Sequence, residues 1–335
     1  PELVKRGHEI HVITVEFWQS PRYEVVEGVH LHRVEVAPSQ NFFHWVANMN
    51  ESMGRHGGKL LMEEQPFDLI HAHDWLVGDA AIALKHTFKI PLIATIHATE
   101  YGRFNGIYSD QQRYVSSKEG QLAYDAWRII VCTNYMRLEV ERALGAPWNK
   151  IDVVYNGIHL EKKQCEPFDE KAFRRVFAAD HEKIVYYVGR MTYEKGLTIL
   201  LSAVPKVLQE MGGDVKFVLI GTGRLDDFKR FAGELGIWEN CYFTGFLSDE
   251  DLNKFRIIAD CAVFPSLYEP FGIVVLENFA ARVPVVVSDT GGFPEIVRHS
   301  RTGIVTWTNN PDSLAWGILE VLKNPDYALW LVENA

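Results

Sequence analysis

The sequence predicts two doubly wound α/β domains in tandem. Three observations carry this: short apolar runs rich in β-branched residues recur along the chain, amphipathic stretches of helical period separate them, and one charged, strandless passage interrupts the alternation near the middle. Runs that are apolar throughout, rather than alternating, read as strands of parallel sheets covered by helices on both faces. At 335 residues and 47% hydrophobic content the chain can fill one core in each domain.

In order, PELVKRG reads as the last turn of a helix, with Lys5 and Arg6 near its end and Gly7 as its cap, and HEIHVITV as the first strand. DLIHAHD, PLIATIH and RIIVCTN are the next strands. Between them WVANMNESMGRHGGKLL reads as a core-facing helix; it carries Trp45, Met49, Met53, Arg55 and Lys59 but too little positive excess for a membrane-binding face. The series runs to about Val154, and NGIHLEKKQCEPFDEKAFRR then breaks the rhythm. A border is expected within residues 158 to 172, giving domains of 1–160 and 161–335. KIVYYVGR, KFVLIGTG, CYFTGF, CAVFPS and PVVVSDT are the strands of the second domain, and GLTILLSAVPKVLQEM and LDDFKRFAGELG two of its helices.

The net charge of −10 argues against general affinity for nucleic acid or anionic membranes, while leaving room for a small basic pocket that takes a phosphorylated ligand. No apolar run approaches the length of a membrane span. Cys132, Cys165, Cys241 and Cys261 form no C-x-x-C pair, and three of them sit in or beside apolar strand-like runs. Reduced thiols and a cytoplasmic setting are the expectation, without cysteine-bound metal.

Ligands of open α/β sheets bind beyond the carboxyl ends of strands, so chemistry is expected at strand-to-helix turns. In YVGRMTYEKGL, Arg190 and Lys195 precede a helix whose dipole they oppose. They are either solvated loop cations or the grip on a diphosphate, Arg190 taking two oxygens and Lys195 acting as a point charge. GTGRLDD places Asp226 where a dinucleotide fingerprint has its third glycine, which makes it weak evidence for a nicotinamide cofactor. Gly221 and Gly223 still let backbone approach a base or ribose. In LSDEDLNKF, Ser248 and Asp251 read as a helix N-cap rather than a metal site.

HAHDWL puts His71 and His73 on one strand face and Asp74 at the carboxyl rim, where it is the better placed of the three to touch ligand hydroxyls. His97 ends the next strand, as a structural histidine or a catalyst. SLYEPFGIVVLENFAA places Glu269 at the mouth of a helix expected to start at Phe271 and Glu277 about two turns in, roughly 80° around the axis. Taken alone, these are an anion at a positive helix end plus one exposed acid, or two acids with a shared function.

The joint order of HAHDWL, TIHATEYGR, VYNGI, VGRMTYEKGL, GTG and YEPFGIVVLENFAA followed by VPVVVSDTGGFPEIV resembles the retaining nucleotide-sugar glycosyltransferases of family four, which have the GT-B fold. The resemblance covers nearly the whole chain, and with QRYVSSKEGQLAYDAWR it is most similar to glycogen and starch synthase-type α-glucan synthases. It implies that Glu269 faces the donor sugar and Glu277 the nucleotide ribose. Arg190 and Lys195 would hold the donor diphosphate, Asp74, His97 and Asn156 line the sugar site, and Gly221 and Gly223 lie near the base or ribose.

The resemblance further implies glucose transfer from ADP-glucose or UDP-glucose to the non-reducing end of an α-1,4-glucan, with no metal and no cofactor. It leaves open another sugar or a lipid as acceptor, and the donor base and oligomeric state undecided. A nucleotide-sugar epimerase, a pyridoxal-dependent phosphorylase and a non-catalytic nucleotide-sugar binding subunit are less favoured: the first needs a proton-abstracting set, the second a Schiff-base lysine, and the third loss of motif residues that are present. Family members also carry an earlier strand with a Gly-Gly loop and a long C-terminal crossover helix, neither found in this sequence. A polypeptide with only these residues is expected to be inactive or weakly stable.

Overall fold

The computed structural model describes residues 1–63, 66–160 and 165–335. They form two compact units: Pro1–Cys132 with Met136–Val154, and Thr133–Tyr135 with Tyr155–Ala335. The border expected between 160 and 161 touches residues 161–164, outside the described residues.

The first unit holds two sheets. In one, β1 (Ile10–Val15) and β3 (Val29–Val34) pair in parallel, and β2 (Tyr23–Val26) pairs antiparallel with β3. Glu27 and Gly28 join β2 to β3 with φ of 50° and 78°, the two positive values of a tight hairpin turn. In the other, β4 (Ile70–His73), β5 (Leu92–Thr95), β6 (Arg128–Val131) and β7 (Ile151–Val153) run parallel in sequence order.

The helix Phe42–Glu63 turns Val46, Met49 and Met53 into a core with Val34 and Ala80, as its apolar spacing requires. Buried Asn50 in that helix donates to the carbonyls of Val46 (2.8 Å) and Leu76 (2.7 Å) and accepts from Ala80 N–H (2.9 Å), so its polar atoms are satisfied inside the core.

The second unit is built on six parallel strands: β8 (Lys183–Val188), β9 (Val215–Ile220), β10 (Cys241–Gly245), β11 (Cys261–Phe264), β12 (Val285–Ser288) and β13 (Ile304–Thr306). Their spatial order, β10-β9-β8-β11-β12-β13, is that of a doubly wound dinucleotide-type sheet. Val185, Val218, Val263 and Val286 on the strands pack with Leu200, Val204 and Val207 of the helix Leu197–Glu210 and Ile318 of the helix Pro311–Lys323.

Both units are therefore Rossmann-like α/β, as the alternation predicts. Four strands escape the sequence reading. In β2 and β3 exposed or polar residues interrupt the apolar run, and β7 and β13 are three residues long, too short to show a period. Among the described residues no helix is long and apolar enough to cross a membrane.

Candidate functional site

In the sheet of the second unit the strand order reverses direction between β8 and β11, which pair through Val185–Cys261 and Tyr186–Ala262. The chain leaves β8 toward β9 on one side and β11 toward β12 on the other, so the loops after these strands diverge and leave a crevice. The loop after β8 carries Arg190 and Lys195, and the loop after β11 carries Ser266 and Glu269.

Across the crevice Lys195 Nζ donates to Glu269 Oε2 at 2.9 Å, and Ser266 Oγ donates to the same oxygen at 3.2 Å. The two charged side chains are only 18% and 13% exposed. A cavity of about 150 Å³ opens beside them, lined also by Tyr187, Gly189, Gly272 and Ile273. Burial, with Glu269 and Glu194 nearby, pushes the Tyr187 hydroxyl well above its usual range, so it stays a donor. It gives its proton to the Arg190 carbonyl at 2.9 Å.

Two helices start at this crevice, Leu197–Glu210 and Ile273–Ala280, each with a glycine N-cap and no side-chain cap. The second starts at Ile273 rather than at the expected Phe271, because Gly272 holds φ at 98°, outside helical values. Helix starts without side-chain caps, beside a lysine, suit an anion.

The position of Glu269 is fixed through its backbone. Gly292 N–H donates to the Glu269 carbonyl at 2.7 Å, and Gly291, at φ 58°, lies so close that a Cβ there would stand 1.9 Å from that oxygen. Leu267 N–H donates to the Glu194 carbonyl at 2.8 Å, tying the β11 loop to the β8 loop. The Gly221–Gly223 turn is laced to the same loop: Met191 N–H donates to Thr222 and Arg224 N–H to Met191, both at 2.8 Å.

Arg190 does not line the cavity. Its guanidinium is 61% exposed and lies 3.4 Å from Glu194. Glu277 is not the exposed acid of the simpler sequence reading: its Oε2 accepts from Arg256 at 2.5 Å, and the Arg256 side chain is only 2% exposed. Arg256 also donates to Asn253 at 2.7 Å. It was missed because an arginine in NKFRII looks like the polar face of an amphipathic helix; only the fold turns it inward. Ser248 caps the same helix, Asp249–Ile258, accepting from Asp251 N–H at 3.1 Å.

In the first unit Asp74 and His97 meet past the ends of β4 and β5. Asp74 takes φ 60°, an uncommon value for a non-glycine residue, and its Oδ1 accepts from His97 N–H at 2.8 Å. His73 Nδ1 and His97 Nε2 share a hydrogen bond at 3.0 Å, and the His71 and His73 rings stack at 4.4 Å, on one face as the alternation predicts. Desolvation, then the neighbouring His73 and His97, lower His71 to about 4, so it is neutral and bonds Thr95 Oγ1 at 2.7 Å.

Glu119, which the sequence reading did not single out, is buried beneath these groups. It accepts from Glu100 N–H at 2.9 Å, and burial raises its carboxyl to about 8. Asn156 lies in irregular backbone just past β7 and does not line the Glu269 cavity.

Comparison with known proteins agrees with this architecture. A family model described as glycosyltransferase family 4 matches residues 1–162, and one described as glycosyl transferases group 1 matches residues 168–335. An uncharacterised glycosyltransferase of Methanocaldococcus jannaschii is 38% identical over 99% of this chain and 85% of its own length. A glycogen synthase of Mycobacterium tuberculosis is 34% identical over 90% of this chain and 73% of its own. The sucrose-phosphate synthase structure of Thermosynechococcus elongatus superposes with a TM-score of 0.82 at 23% identity, over 99% of this chain and 84% of that one. The chain thus belongs to the family-four, group 1 glycosyltransferases of GT-B fold and is a glycosyl-transferring enzyme.

Proposed function

We propose that the protein transfers glucose, with retention of configuration, from ADP-glucose or UDP-glucose to the non-reducing end of an α-1,4-glucan. The observation that carries this is the Lys195–Glu269 pair beside two helix starts without side-chain caps, at the point where the strand order reverses. The glycogen synthase relative supports the choice of glucan. The four cysteines, none of them in a disulfide, suit a cytoplasmic setting.

Breaking a sugar–phosphate bond builds negative charge on the departing diphosphate and positive charge at the anomeric carbon. Lys195 and the two helix starts are placed to stabilise the first, with Arg190 swinging from the exposed loop to grip phosphate oxygens. Glu269, anchored by Gly292 N–H, offers its carboxylate to the sugar. We assign it an electrostatic and positioning role in a front-face transfer, in which the leaving phosphate takes the acceptor proton. This charge arrangement calls for no catalytic metal and no organic cofactor. In this reading Asp74, His97 and Asn156 serve sugar hydroxyls, Glu277 the ribose, and Gly221 and Gly223 the base or ribose by backbone approach.

The test is product formation with ADP-glucose and UDP-glucose in turn, with and without a maltooligosaccharide, in chelator. Chain extension that is lost in Glu269→Ala and Arg190→Ala supports the proposal and names the donor. Donor hydrolysis alone, or no use of glucan, moves the acceptor to another sugar or a lipid.

A further inference from the structure

A second cluster of chemistry-bearing side chains lies in the first unit, in the opening residues of β1 and β3. These strands run parallel with His11 opposite His30, which puts both imidazoles on one face. Their rings stack with centroids 4.4 Å apart and planes 3° from parallel, so one ion meets both in-plane nitrogen lone pairs only once a ring turns about its Cβ–Cγ bond. Glu9, just ahead of β1, reaches the same place: its Oε1 lies 3.0 Å from His11 Nε2. One ligand atom from each of Glu9, His11 and His30 can be chosen so that all lie within 4.8 Å of one another.

The remaining ring nitrogens are already engaged. His11 Nδ1 shares a hydrogen bond with His32 Nε2 at 3.0 Å, and His30 Nδ1 shares one with the Tyr23 hydroxyl at 2.7 Å. In a metal-ligating histidine the nitrogen that does not face the ion is commonly held by such a partner, which fixes the tautomer.

We propose that Glu9, His11 and His30 bind a divalent transition-metal ion of the zinc class, with His32 and Tyr23 as positioning residues. Two imidazoles and one carboxylate, with no thiolate, favour Zn²⁺ and its neighbours Co²⁺ and Ni²⁺ over Mg²⁺ or Ca²⁺. Three protein ligands leave a fourth position for water. The ligands sit where β1 and β3 begin, whereas substrates of such sheets bind where strands end. The ion therefore ties β1 to β3 and takes no part in the transfer chemistry.

The test uses untagged protein stripped with chelator, dialysed and titrated with Co²⁺ and then Zn²⁺. The expected result is one equivalent of Co²⁺ bound, with a visible absorption band, displacement of that band by Zn²⁺, and a rise in Tm. Glu9→Gln and His30→Asn should each weaken binding by about 100-fold and Tyr23→Phe by about 10-fold. Circular dichroism of the metal-free variants checks folding; Glu9 is exposed, so Glu9→Gln alone decides the matter if His30→Asn does not fold. The chain has 13 histidines, so one-equivalent binding that survives Glu9→Gln places the ion elsewhere and overturns the proposal, as does failure of the unsubstituted protein to bind one equivalent.

Discussion

Lys195 Nζ donates a 2.9 Å hydrogen bond to Glu269 Oε2, joining the loop after β8 to the loop after β11 at the reversal of strand order. Each charge is the main compensation for the other, since both side chains are mostly buried. On the proposed reading a bound diphosphate would compete with Glu269 for the same ammonium, and the pair would exchange partners when donor arrives.

Glu269→Gln keeps the shape and removes the charge. We expect kcat for glycosyl transfer to fall by about 10²–10³, with donor affinity little changed if, as proposed, Lys195 is then released to the diphosphate. Donor binding measured by calorimetry beside single-turnover kinetics checks the split; a variant with wild-type kcat would remove Glu269 from the reaction.

Gly291→Ala tests the backbone anchor. An added Cβ would meet the Glu269 carbonyl at 1.9 Å, at a φ of 58° that already disfavours a side chain. The expected cost is at least about 2 kcal/mol in urea unfolding, with loss of transfer. Gly233→Ala, within a helix and with nothing near its added Cβ, serves as the control and should be neutral or mildly stabilising.

Arg256→Met removes the guanidinium from the Glu277 carboxylate. Stability should drop by about 3 kcal/mol. The double substitution Arg256→Met with Glu277→Leu should recover much of that, because no charge is then left unpaired. Denaturation midpoints across the four members of the cycle give the coupling; additive effects would mean the pair carries no interaction of its own.

Glu119 gives a pH prediction. Its folded-state carboxyl is raised from the ordinary 4.5 to about 8, chiefly by burial. Between those values the folded protein holds a proton that the unfolded chain has lost, so stability declines as pH rises, by at most about 1.4 kcal/mol per unit. His71, lowered to about 4 when folded, is still about half protonated in the unfolded chain at pH 6.5, so it adds an opposing slope that fades above about pH 7.5 and is the same with or without Glu119. Glu119→Gln keeps an acceptor for Glu100 N–H and should flatten the dependence between pH 6.5 and 8. Urea unfolding at several pH values in that window is the measurement, and an unchanged slope would assign it to another group.

How much was legible in the residues follows from what each signal depends on. Nine strands and the two-unit plan could be read because apolar runs and helical periods are local. Lys195, Glu269, Asp74 and His97 could be placed at strand ends because loop chemistry follows directly from strand position. The order of the motifs identified the family, since that order is a property of the chain itself.

Tertiary structure decided the rest. Whether Glu277 meets water or Arg256 depends on two helices separated in sequence, and the raised carboxyl of Glu119 depends on what packs over it. The meeting of Glu9, His11 and His30 depends on the register of β1 against β3, a strand the sequence reading did not find. Burial, pairing and register are relations between distant segments, and no local pattern of residue types encodes them.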